Sequence, residues 1–107
     1  APTYLRIEDE NGNPLTSIHF LYGIPSPTYY VKTDATPVVL SVYPSMPYGI
    51  SFYSSQGEFR GTPREYFPET TMTFTARNML GNITCTIQLS VGDCQLGPLV
   101  PPQFVST

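Results

Sequence analysis

A chain of 107 residues, 40% hydrophobic and only 12% charged, has the length of one ordinary domain, enough to bury a core and too little for two conventional ones. Its net charge of −3, from five Lys and Arg against eight Asp and Glu, supplies no basic footprint for nucleic acid, and no apolar run approaches the roughly 20 residues of a membrane-spanning helix. Scarce lysine beside eight tyrosines and 12 prolines fits the composition of secreted β-proteins.

The chain begins Ala1-Pro2 with no charged-then-apolar leader, which reads as a mature terminus or a segment of something larger, the second being the expectation. From Tyr4 to Glu8 the residues alternate, with Leu5 and Ile7 on one face, and Asp9-Glu10-Asn11-Gly12-Asn13-Pro14 carries strong turn chemistry before Ile18-His19-Phe20 alternates again. These two segments are predicted to form a hairpin. A proline-rich passage through Gly23-Ile24-Pro25-Ser26-Pro27 leads to a strand at Tyr29-Tyr30-Val31, and Val38 to Val42, bounded by Pro37 and Pro44, is the most β-branched run. Ile50 and Phe52 then alternate with polar residues, Ser54 to Gly57 reads as a turn, and Phe59 stands alone before Gly61-Thr62-Pro63.

Further on, Met72, Phe74 and Ala76 share one face while Thr71, Thr73 and Thr75 share the other, and Ile83, Cys85, Ile87, Leu89 and Val91 repeat the pattern. Both strands read as half buried, joined as the last hairpin by a turn over Arg77 to Asn82. After Val91 the text changes, and Gly92 to Pro98 with Pro101-Pro102 reads as a stiff exit. The division expected is a module over residues 1–93 and a Pro-rich exit or linker over residues 94–107. No stretch carries convincing helical spacing, so the fold is predicted to be all-β.

From Pro47 to Val91 the chain resembles an immunoglobulin-like repeat family related to the dystroglycan-type cadherin-like domains. The residues that carry the resemblance are Pro47 to Phe52, then Gly57 to Pro63, then Thr73 to Asn78, Gly81, and Ile87 to Val91. Met46 stands where that family usually has Leu, and Tyr66-Phe67-Pro68 occupies a connection usually made of small polar residues. The stretch Asp9 to Leu15 is similar to a hairpin of bacterial-type immunoglobulin-like domains. Both resemblances imply an immunoglobulin-like Greek-key β-sandwich of about seven strands. They also imply a noncatalytic role in adhesion or spacing, in an extracellular or cell-surface protein with neighbouring modules as partners, although a fold does not by itself fix a function.

Among candidate sites, Cys85 faces inward and Cys94 follows nine residues later, a separation along one strand several times the ~7 Å that a disulfide spans. A secreted context nevertheless favours pairing. Cys85 otherwise reads as a small buried apolar residue, and Cys94 as a thiol for a neighbouring module or partner chain. Asn82-Ile83-Thr84 is an N-glycosylation sequon. His19, the single histidine, points away from the core without the companions that zinc or nucleophilic catalysis requires, so neither enzyme activity nor a metal or cofactor is expected. Glu8, Asp9 and Glu10 read as a solvated turn rim instead of a calcium cage, which needs ligands from separated loops. Exposed tyrosines stack on sugars or anchor interfaces, and Tyr48, Tyr53 and Tyr66 are the candidates beside predicted turns. A protein or glycan ligand, a carbohydrate-binding module of a secreted enzyme or adhesin, and receptor specificity in the Tyr22 to Tyr30 loop are the alternatives to a spacer. A spacer module would be a monomer in isolation.

Overall fold

The computed structural model describes residues 3–34 and 39–93. It is all-β, with nine strands among the described residues: β1 (Leu5–Glu8), β2 (Pro14–Leu15), β3 (Ser17–Leu21), β4 (Tyr29–Thr33), β5 (Val39–Tyr43), β6 (Ile50–Tyr53), β7 (Glu58–Gly61), β8 (Phe67–Asn78) and β9 (Gly81–Gly92). They form two sheets, ordered β2-β1-β4-β7-β6 and β3-β9-β8-β5. This is an immunoglobulin-like sandwich.

The predicted hairpin between Tyr4–Glu8 and Ile18–Phe20 does not form. β1 pairs instead with β2, over Ile7↔Leu15 and Glu8↔Pro14, and β3 crosses to the other sheet, where it runs parallel to β9 from Ser17↔Gln88 to Leu21↔Gly92. Alternation tells which face a residue buries and not which strand it pairs with, so Ile18 and Phe20 reach the core from either sheet. Pro14 lacks the N–H that would extend the first ladder. Because β1 and β2 pair antiparallel and β3 lies in the other sheet, this segment supplies three separate strands, and the sandwich has nine among the described residues where about seven are expected.

The Asp9 side chain closes the turn between β1 and β2, its Oδ1 accepting from the backbone N–H groups of Asn11 and Asn13, each at 2.9 Å. Gly12, at φ +83°, donates its N–H to the Asp9 carbonyl. The backbone N–H of Asn13, chiefly, holds the Asp9 carboxyl below its ordinary 3.8, against a smaller opposing effect of burial. A lowered folded-state value means that the ionised carboxylate stabilises the turn above the unfolded value, and that this contribution is lost as pH falls through the folded one. Asp9→Asn is therefore expected to lower the melting temperature at neutral pH, with the gap from wild type closing as pH drops below 3.8. A gap that stays constant through that range would show that the carboxylate's charge is not what holds the turn.

The core lies between the sheets, with Phe59, Met72, Ala76 and Leu89 fully buried and Phe74 nearly so. Phe59 joins the layers, stacking on Tyr29 of its own sheet at 5.4 Å and on Phe74 of the other at 5.6 Å. The described part of the β-branched run Val38 to Val42 lies in β5, an edge strand that among the described residues pairs with β8 alone, and Val39 is 60% and Tyr43, the residue after the run, 78% exposed. Only Leu40 and Val42 of β5 pack inward. β8 begins earlier than its Thr-rich text suggests, with an irregularity between Phe67 and Thr70 where Pro68 interrupts the ladder. The final turn shrinks from the predicted Arg77–Asn82 to Met79-Leu80, because Arg77↔Asn82 and Asn78↔Gly81 are already paired.

The Tyr48-Gly49-Ile50 and Gly61-Thr62-Pro63 segments meet backbone to backbone. Gly49 has φ +98° and Gly61 φ +153°, and a Cβ on Gly49 would sit 2.0 Å from the Thr62 carbonyl oxygen, while one on Gly61 would sit 2.0 Å from that of Gly49. The contact is locked by Thr62 N–H donating to Gly49 O at 3.1 Å and Arg64 N–H donating to Tyr48 O at 2.8 Å. Pro47 and Pro63 are buried beside it. Two glycines separated by one short hairpin thus have a single physical reason: both remove the side chain from a point where two backbones touch.

Candidate functional site

The three candidate tyrosines are exposed but do not converge. Tyr48, 69% exposed, precedes β6 and its backbone N–H donates to Glu65 Oε2 at 2.8 Å. Tyr53 closes β6 and lies under the Arg60 guanidinium, 4.4 Å from the ring centroid. Tyr66 stacks on Tyr22 with ring centroids 4.6 Å apart and planes inclined by 13°. Its hydroxyl donates to Asp93 Oδ1 at 2.8 Å, and this acceptor, with some burial, raises the phenol above its usual 10.0. Tyr22–Tyr66 is an aromatic pair with both members exposed; the sequence names Tyr22 only as the start of the Tyr22 to Tyr30 loop, since nothing local connects two rings so far apart in the chain.

Tyr53 belongs to a larger pattern on the outer face of the β1-containing sheet. Arg6 lies over Tyr4 at 4.6 Å, Lys32 over Tyr30 at 5.1 Å, and Arg60 over Tyr53, each worth on the order of 0.5–1 kcal/mol at an exposed site. Arg6 also pairs with Glu8, and Arg60 with Glu58. The two-residue spacing of Tyr4/Arg6 and Tyr30/Lys32 puts each pair on one side of its strand, a signal present in the sequence. This face is self-satisfied: two of its three cations already hold carboxylates.

His19 projects outward from β3, as expected. Its Nδ1 lies 2.8 Å from Ser90 Oγ and its Nε2 3.2 Å from the Asp93 carbonyl oxygen. A carbonyl only accepts, so in the neutral ring Nε2 carries the proton and Nδ1 accepts from the Ser90 hydroxyl. A shallow groove of about 350 Å³ opens between His19, Pro27, Tyr29 and the Asp9–Asn11 turn. Burial, followed by the charges of Asp9 and Glu10, raises the Tyr29 phenol. Among the described residues no three His, Cys, Asp or Glu side chains come together as metal ligands.

Asn82 is exposed, but it sits on β9 opposite Arg77 and not in the turn. Cys85 is half-buried against the core and free among the described residues, with burial raising its thiol. Cys94 and the exit over residues 94–107 lie outside the described residues. No helix among the described residues is long and apolar enough to cross a membrane.

No family model matches the sequence, and no curated protein matches it. Solved structures do. Two chains from Bacteroides fragilis NCTC 9343, one named as an alpha-galactosidase and one as an alpha-galactosidase/melibiase, align with a TM-score of 0.61 at 22% and 19% identity. Each alignment covers 81% of this chain but only 18% of the Bacteroides one. A chain of the titin M10–obscurin-like 1 Ig complex aligns over 87% of this chain and 100% of its own length, with a TM-score of 0.53 and 13% identity. At such identities the likeness is one of fold, and the fold this chain shares is that of an immunoglobulin domain.

Proposed function

We propose that this chain is a noncatalytic immunoglobulin-like module of a larger surface or secreted protein, acting in adhesion or as a spacer between neighbouring modules. The observation that carries the reading is one of scale: the same sandwich accounts for a whole Ig chain in one neighbour and for 18% of a long chain in two others. It is a unit used in series with other domains. The resemblance of Pro47–Val91 to dystroglycan-type cadherin-like repeats supports an extracellular setting, in which the exposed Asn82 sequon would be a glycan acceptor.

A second reading, a carbohydrate-binding module, is favoured by one feature. The Tyr22–Tyr66 stack presents an exposed aromatic surface, and aromatic rings with an accessible face suit the apolar side of a sugar. The alpha-galactosidase names of two neighbours fit the same idea. A broad glycan array, probed with and without calcium, separates the two readings. Silence in both conditions is expected of a spacer or protein adhesin. Sugar binding that disappears in Tyr66→Ala while the unfolding midpoint stays near wild type would replace the first reading by the second.

A further inference from the structure

The two outer faces of the sandwich differ in charge. The β1-containing sheet turns Arg6, Lys32, Glu58 and Arg60 toward solvent. The other presents a field of hydroxyls at its centre, in which Tyr43↔Thr73↔Thr86 and Ser41↔Thr75↔Thr84 run as cross-strand rows. Thr84, Thr86, Ser41 and Tyr43 are exposed. Charge returns at the two ends of β8, with Arg77 beside the hairpin tip and Glu69 beside His19 and Ser17. Both are exposed, and neither joins an ion pair among the described residues. Depletion of charge at the centre of a face is one of the compositional marks of an interface core.

We propose that this face pairs with the same face of a second copy of the chain, across a two-fold axis lying between the faces and perpendicular to the strands. The arrangement of charge selects that operator. Thr73 is midway between Glu69 and Arg77, so a two-fold at Thr73 lays Glu69 of each copy over Arg77 of the other, at both ends at once. The alternative axis, parallel to the strands, sets Arg77 against Arg77 and Glu69 against Glu69. The chosen operator also carries the hairpin tip, where Met79 is 100% and Leu80 79% exposed, toward the end of the other copy where Tyr66 is 59% exposed. Thioether and aromatic surfaces suit each other at such a contact.

The face is small. At about 3.3 Å per residue along β8 and roughly 4.8 Å between strands it offers at most about 500 Å² per copy, near the floor for a specific interface. Association is therefore weak, salt-sensitive and suited to many copies on one surface. It goes beyond the module reading, and it departs from the monomer expected of a spacer. A glycan on Asn82, across from Arg77, would cover one end of the face, so the test uses unglycosylated protein.

Sedimentation equilibrium at low salt on the wild type, Arg77→Glu, Glu69→Arg and an equimolar mixture of the two variants decides the matter. Wild type is expected to dimerise, each single reversal to weaken dimerisation by about tenfold or more, and the mixture to recover it as a heterodimer, since its opposed ends again carry opposite charges. Thr86→Glu, which sets a like charge from each copy near the axis, is expected to abolish association with the circular dichroism spectrum unchanged. A wild type that stays monomeric at millimolar concentration, single reversals that associate as wild type does, or a mixture no better than its components would each overturn the proposal.

Discussion

Gly49→Ala and Gly61→Ala are each expected to cost on the order of 3–5 kcal/mol, a large share of the stability of an ordinary domain. Two effects add at these positions. The positive φ disfavours any residue with a Cβ, and the new methyl lands 2.0 Å from a carbonyl oxygen of the facing segment, which two backbone hydrogen bonds tie to its own. Three further positive-φ glycines, Gly12, Gly23 and Gly57, grade the comparison. Gly57 would bring a Cβ to 3.1 Å from the Val31 carbonyl oxygen, whereas Gly12 and Gly23 have nothing within 4 Å, leaving about 1–2 kcal/mol of backbone strain alone. Urea unfolding should therefore rank the alanine variants at 49 and 61 as most destabilised, then 57, then 12 and 23. Equal losses at Gly49 and Gly12 would show that the two backbones are not in contact.

Phe59→Ala is expected to cost about 3–5 kcal/mol, the usual range for emptying a buried aromatic site. Phe59 is completely buried and is the ring through which Tyr29 of one sheet and Phe74 of the other are stacked in series. Its removal leaves a cavity between layers whose backbones are tied into separate ladders and cannot close over it. On the adjoining strand, Tyr53→Ala removes an exposed ring and one cation–π contact, so its cost should stay within about 1 kcal/mol. The contrast matters for function. Tyrosine and charge variants on the outer faces are expected to cost far less than Phe59→Ala, so a loss of binding in them can be separated from unfolding by measuring both.

What the sequence disclosed and what it withheld divide along one physical line. Periodicity of two reports burial, and it placed Met72, Phe74, Ala76, Ile87, Leu89 and Val91 correctly inside. Glycine and proline report turns, and the Ser54 to Gly57 turn and the Gly61-Thr62-Pro63 stop bound the β6–β7 hairpin in the text as they do in the fold. Neither signal carries partner identity. That is why the parallel β3–β9 ladder was missed, and why the most β-branched run became an edge strand with Val39 and Tyr43 outside. The reason for Gly49 and Gly61 was equally hidden, since it lies in their mutual approach and not in either local conformation. The candidate surfaces followed the same rule. Exposure of Tyr48, Tyr53 and Tyr66 was legible from their places beside turns, while the Tyr22–Tyr66 stack and the opposed charges on β8 required the fold.

That the chain acts through its surface as an adhesive module is tested most directly on beads coated densely with the domain and scored for clustering at low and physiological salt. Clustering of wild-type beads is expected, with dispersion of beads carrying Arg77→Glu or Glu69→Arg alone and renewed clustering when those two populations are mixed. Wild-type beads that remain dispersed at every coating density, while the same protein binds sugar through Tyr66, would contradict adhesion by this face and leave carbohydrate binding in its place.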